Sequence, residues 1–187
     1  MPTLMHEAAH RAFSAIFVTW HRGQKSRLLP RGGATVEGLT RKKCPDSSWT
    51  TSIHTPGREV KWPTILVEAG WSDSKAKLKQ DVLFWLHESE PQVKVALTIK
   101  VTRNGNITIE RWRLNQKNRG TSVEPIQTMC ITRNRIANSN QHQISGSMHI
   151  KFEDCFLREK RGKETDFLLS HEDMMEIAEA VWNPFTE

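Results

Sequence analysis

Residues 62–101, WPTILVEAGWSDSKAKLKQDVLFWLHESEPQVKVALTIKV, read as strand, turn, helix and strand in that order. Pro63 to Ala69 is a short continuous apolar run after a proline, the pattern of a buried strand, and it stops at Gly70. Ser72 or Asp73 can then cap a helix to about Glu88, with Leu78, Val82, Trp85 and Leu86 on one face. From Val93 to Val101 every second residue is apolar, so this strand has one apolar face. Arg103-Asn104-Gly105-Asn106 supplies hairpin turn chemistry, and Ile107 to Trp112 returns as the partner strand.

Working outward, Leu4, Ala8, Ala12, Ala15 and Ile16 recur at helical spacing, predicting a helix from Leu4 to Trp20. A basic loop follows, with seven Lys/Arg from Arg22 to Lys43 against Glu37 alone, and with a short strand near Ala34 to Leu39. Pro45 to Ile53 reads as extended and Asn115 to Gly120 as a polar loop. Ile126 to Ile131 and Gln143 to Phe152 read as further strands, and Ser170 caps a last helix through Met174, Ile177, Ala178 and Val181. The expectation is one α/β domain over residues 1–187, in which a central mixed sheet is covered by the helices at Leu4 and Asp73. Within it, 1–43 form the N-terminal helix and basic loop, 44–158 the core, and 159–187 an acidic helical tail.

Composition narrows the function. With 37% hydrophobic and 26% charged residues the chain is globular. No apolar run approaches the roughly 20 residues of a membrane span, and Ala12–Trp20 makes a poor secretory signal with Glu7 upstream, so the expected location is intracellular, nuclear or cytoplasmic. Residues 1–150 hold 22 Lys/Arg against 11 Asp/Glu, whereas 151–187 hold 5 against 10. A body with a surplus of +11 favours polyanions such as nucleic acid, against the plainer reading of a solubilising surface. Cys44, Cys130 and Cys155 are too scattered for a disulfide framework or a cysteine zinc site and read as buried thiols.

Two constellations carry chemistry. His6-Glu7-Ala8-Ala9-His10 matches the H-E-x-x-H zinc pattern, but no third ligand follows, so zinc proteolysis is a minor alternative. The stronger set is Pro45-Asp46, then Glu68 at a strand end, then Lys75, Lys77 and Lys79. Two carboxylates on neighbouring strands can hold Mg²⁺ while a lysine assists the attacking water, although such an Asp and Glu are more commonly capping or surface residues.

The runs CPDSSW at 44–49, WPTILVEAGWSDS at 62–74, DVLFWL at 81–86, VKVALTIKV at 93–101 and FEDCFLR at 152–158, in this order, resemble a fungal branch of the PD-(D/E)XK nuclease-like superfamily. The resemblance covers about Cys44 to Trp182 and implies a restriction-endonuclease-like fold. It implies a Mg²⁺- or Mn²⁺-dependent nuclease acting on DNA, with Asp46 and Glu68 as metal ligands and Glu7 or His10 joining them from the first helix. The simplest pattern of that superfamily has a lysine two residues after the glutamate, and here that position is Gly70. Helical geometry offers a replacement: with Leu78 at zero, Lys75 and Lys79 flank the inward face while Lys77 points to solvent, so Lys75 is preferred, with Lys79 second. The bland reading has both snorkelling at the core edge. Arg41, Lys42 and Lys43 are expected to meet substrate. So is Trp71, alone of seven tryptophans; the others are read as core. A homodimer is compatible with the sequence. Gly70 favours a second reading, a catalytically degenerate nuclease-fold protein with a binding or accessory role.

Overall fold

The computed structural model describes residues 4–53, 55–71, 75–117, 120–134 and 142–183. Helix α1, Leu4–Arg22, buries His6, Ala9, His10, Phe13, Phe17 and His21, three or four apart along one stripe. Helix α2, Lys75–Glu88, follows strand β5, Ile65–Trp71, and leads into β6, Val95–Val101. The hairpin partner β7, Ile107–Lys117, pairs with β6 from Val101↔Ile107 onward, and Gly105 provides the positive φ of +81° in the turn between them.

Around this unit lie β1, Leu28–Pro30, the two-residue strands β2, Val36–Glu37, and β3, Lys42–Lys43, and then β4, Ser47–Thr51. On the far side come β8, Gly120–Thr132, β9, Gln143–Gly146, and β10, Met148–Ile150, followed by helix α3, Phe152–Phe156. Strand β11, Phe167–Leu169, and helix α4, His171–Trp182, finish the described chain. The central sheet runs β1-β4-β5-β6-β7-β8-β9, with β5 and β6 parallel and every other neighbouring pair antiparallel. Two small ribbons, β2-β3 and β10-β11, stand apart from it.

Side chains alternate across the sheet, so β5 feeds two cores. Ile65, Val67, Ala69 and Trp71 face the larger core with Phe13 and Phe17 of α1 and Met174, Ile177 and Val181 of α4. Leu66 faces the smaller one with Val82, Phe84 and Trp85 of α2 and Trp112 of β7. This is the expected mixed sheet flanked by helices. The Ser170 cap is a capping box: its side chain accepts from the Asp173 N–H, and the Asp173 carboxylate accepts from the Ser170 N–H.

Several boundaries differ from the sequence reading. The polar loop expected at 115–120 is instead the arms of β7 and β8, paired out to Lys117↔Gly120, because backbone pairing does not require apolar side chains. The strand expected from Gln143 to Phe152 breaks at Gly146, where φ is +80° and a Cβ would sit 2.0 Å from the Thr128 carbonyl oxygen. Beyond it β10 pairs with β11, and Phe152 already begins α3. The cap expected at Ser72 or Asp73 lies outside the described residues. Of the cysteines only Cys155 is buried; Cys44 is exposed between β3 and β4, where its sulfur lies 2.9 Å from Thr35 Oγ1, and Cys130 is half-buried.

Candidate active site

Strand β4 runs antiparallel to β5 in the register Ser47↔Val67, Ser48↔Leu66, Trp49↔Ile65. Asp46 lies just before β4, where the Ala69 N–H of β5 holds its carboxylate. The two carboxylates approach β5 from different sides, Asp46 against His6 of α1 and Glu68 against Trp85 of α2 and Lys43. Asp46 Oδ2 accepts from the Ala69 N–H at 2.6 Å, and its Oδ1 lies 3.7 Å from His6 Nε2. Burial alone would raise the Asp46 carboxyl, but His6 and the Ala69 N–H together hold it below its ordinary value, so it is ionised at neutral pH.

Glu68 is placed differently. It is buried on the α2 side of β5, where its Oε1 accepts from the Trp85 indole N–H and from Lys43 Nζ, the latter at 3.0 Å. Burial, the dominant influence, pushes its carboxyl up to about 7 against the pull of Lys43 and Trp85, and the neighbouring Asp46 charge adds to the rise. The Lys43 side chain is only 14% exposed and its ammonium also lies 3.2 Å from Asp81 Oδ2. Asp81 of α2 is 5% exposed and gathers two further cations, Arg41 at 3.5 Å and Lys77 at 3.5 Å. Glu68, Lys43 and Asp81 thus form one buried charged chain, an arrangement kept only where the charges compensate one another.

On the α1 side of Asp46 the expected metal ligands are otherwise engaged. His10 Nδ1 lies 3.1 Å from Ser47 Oγ and its Nε2 lies 3.2 Å from Glu7 Oε2, which also pairs with Arg11. Among the described residues no group of three or more His, Cys, Asp or Glu side chains is arranged to hold a metal ion. His6, one turn before His10, is the α1 residue that faces Asp46. The Asp46–Glu68 pair nevertheless fits Mg²⁺ or Mn²⁺ in kind, because such ions take one or two carboxylates and complete their shell with water and phosphate oxygens. Among the described residues no third zinc ligand is assembled around His6 and His10.

The remaining expected site residues divide. Lys43, expected at the substrate surface, is in the buried charged chain. Arg41 lies over the Phe84 ring at 5.0 Å and reaches Asp81, while Lys42 pairs with Glu37. Lys75 and Lys79 are exposed, and neither forms an ion pair among the described residues. Lys77, expected to point to solvent, is 73% exposed but lays its ammonium on Asp81, because a lysine stem spans the turn between positions 77 and 81. Trp71 packs against the larger core, on the face of β5 opposite Glu68, as the alternation of the strand requires. Asp81 went unread, and His6 was read only as part of the H-E-x-x-H pattern. Asp81 sits three residues after Leu78 and four before Trp85, on the inward stripe of α2, and an aspartate there signals a buried charge seeking a cation.

No protein-family profile matches the chain, and no curated protein does. Among solved structures, a protein described as a "putative nuclease belonging to DUF820" from Anabaena variabilis is similar in part: it is 16% identical, with 66% of this chain and 68% of that one covered, at a TM-score of 0.43. The α/β class of this chain follows from its own topology, a seven-stranded mixed sheet with α1 and α4 on one face and α2 on the other.

Proposed function

We propose that the chain is a divalent-metal-dependent phosphodiester hydrolase of the PD-(D/E)XK nuclease-like superfamily acting on DNA, with Asp46, Glu68 and Lys43 as its working groups. The observation that carries this reading is the Lys43 ammonium 3.0 Å from Glu68, with the Asp46 carboxylate held 2.6 Å from the N–H of the next residue, Ala69. That contact supports a lysine beside the glutamate although Gly70 occupies the usual lysine position. The fungal placement rests on the quoted runs of sequence. Asp46 and Glu68 would hold Mg²⁺ or Mn²⁺, which when bound supplies positive charge to a phosphoryl oxygen and acidifies a water. Lys43 contributes a donor of fixed direction for the attacking water or a non-bridging phosphate oxygen. Asp81 is a positioning residue that holds this ammonium at the floor of the site. Lys75 and Lys79, exposed at the start of α2, contribute charge to the DNA-facing surface.

A second reading, a nuclease-fold accessory protein without turnover, is favoured by one observation: Glu68 Oε1 is already taken by Lys43 and Trp85. Incubation of the purified protein with duplex and single-stranded DNA in Mg²⁺ and Mn²⁺ separates the two. Cleavage that is lost in Asp46→Asn and Lys43→Met but kept in Lys75→Ala supports the hydrolase. Loss in Lys75→Ala with retention in Lys43→Met would return the lysine role to α2. DNA binding without cleavage by the wild type would leave the accessory reading.

A further inference from the structure

A second basic feature lies at the other end of α1. A pocket of about 680 Å³ opens where α1 gives way to β1, and its lining includes His21, Arg22, Lys25, Arg27, Leu28 and Pro30. Among the described residues no acidic side chain lines it. Arg22, Lys25 and Arg27 are exposed, and none of them forms an ion pair among the described residues, whereas Lys43, Arg111 and Arg158 each hold a carboxylate within about 3 Å. Glu164, which accepts from the Lys25 backbone N–H, is engaged by the Arg158 guanidinium at 2.6 and 2.7 Å.

The end of a helix ordinarily repels anions. Here the Trp20 carbonyl accepts from the Gly23 N–H and the Gln24 side chain, and the His21 carbonyl from the Gln24 N–H. With those carbonyls capped, the three cations set the local field. His21 is buried against Phe17, and its Nδ1 makes no hydrogen bond to another described residue. Leu28, Leu29 and Pro30 of the edge strand give the pocket an apolar wall, and Leu29 is 48% exposed. Unpaired cations beside an exposed apolar wall suit a ligand that is anionic at one end and flat and apolar at the other, which is the chemistry of a nucleotide.

We propose that this pocket binds the phosphate groups of a nucleic-acid strand at a distance from Asp46 and Glu68. The inference rests on the nucleic-acid reading above, but not on cleavage. The test is fluorescence anisotropy with labelled single-stranded and duplex oligonucleotides over a salt series. Lys25→Ala/Arg27→Ala is expected to weaken binding on the order of tenfold and to lower the salt slope by about 1.5 to 2, the share of two phosphate contacts. The charge-matched Lys94→Ala/Lys151→Ala, also exposed, should leave both nearly unchanged. A pocket variant that binds like the wild type, or equal losses in the two double variants, would overturn the pocket as a site while leaving the nucleic-acid reading standing. Absence of any binding by the wild type would overturn both. As an independent measure, bound oligonucleotide should slow acetylation of Lys25 and not of Lys94. Equal protection by a free mononucleotide at the same phosphate concentration would mean that the pocket takes nucleotides rather than a strand.

Discussion

The two faces of β5 are built on opposite principles. Toward α1 and α4, Ile65, Val67, Ala69 and Trp71 meet an apolar core in which Phe17 touches the rings of Trp20, Trp49 and Phe167 at centroid distances of 5.2, 4.9 and 5.2 Å. Toward α2, the same strand presents Leu66 and then Glu68, and the smaller core holds a charged chain from Glu68 through Lys43 to Asp81. One face supplies stability by burying apolar area; the other gives some of it up to hold charges where water is scarce. Functional groups with perturbed proton affinity belong on the second kind of face, since burial is what moves them.

The sharpest way to break that contrast is to damage the apolar face. Phe17→Ala should cost about 3 to 5 kcal/mol, measured by urea unfolding, because the ring is fully buried and its aromatic neighbours belong to several elements. A loss under about 1 kcal/mol would mean that this core is no better packed than the polar one.

The charged face should reveal itself through pH. Glu68 has a folded-state pKa of about 7, above the ordinary 4.5, so the folded protein binds its proton more tightly than the unfolded chain does. Its contribution is therefore present below about pH 4.5 and lost as pH rises through 7, on the order of 3 kcal/mol. Glu68→Gln should flatten this part of the stability curve, and the difference between wild-type and variant unfolding midpoints from pH 4 to 8 measures it. Asp46 has the opposite sign: its carboxyl is held low, so its contribution is present above its ordinary pKa and fades as the solution is acidified.

Lys43→Met should cost roughly 2 kcal/mol, less than the 3 to 5 typical of breaking a buried pair, because Glu68 can take up a proton and Asp81 keeps Arg41 and Lys77. The smallest effect is expected from Lys75→Ala, within about 0.5 kcal/mol by thermal unfolding, as for an exposed residue with no ion pair among the described residues. A Lys75→Ala cost equal to that of Lys43→Met would erase the distinction between a lysine in the site and a lysine on its rim.

Much of the fold was legible. The alternation from Val93 to Val101, the Asn-Gly turn and the Ser170 cap are local signals, and each appears where the residues place it. The identity of the lysine was not. Helical angles rank Lys75, Lys77 and Lys79 only relative to Leu78, and they are blind to a residue arriving from another element. Lys43 comes from a two-residue strand whose pairing with Val36–Glu37 folds it inward under α2, while its sequence neighbours Arg41 and Lys42 mark it as surface. Likewise the H-E-x-x-H spacing correctly puts His6 and His10 on one side of α1, with ring centroids 5.8 Å apart, but it cannot tell which of them meets Asp46 and which meets Ser47.

The sequence by itself determined the main elements, α1, the β5–α2–β6–β7 run and α4, because hydrophobic period, turn residues and caps are properties of nearby residues. Tertiary structure alone decided which cation stands beside Glu68. A buried carboxylate is compensated by whichever charge the packing of distant segments brings within about 3 Å, and that distance is set by how β3 and α2 close over the sheet.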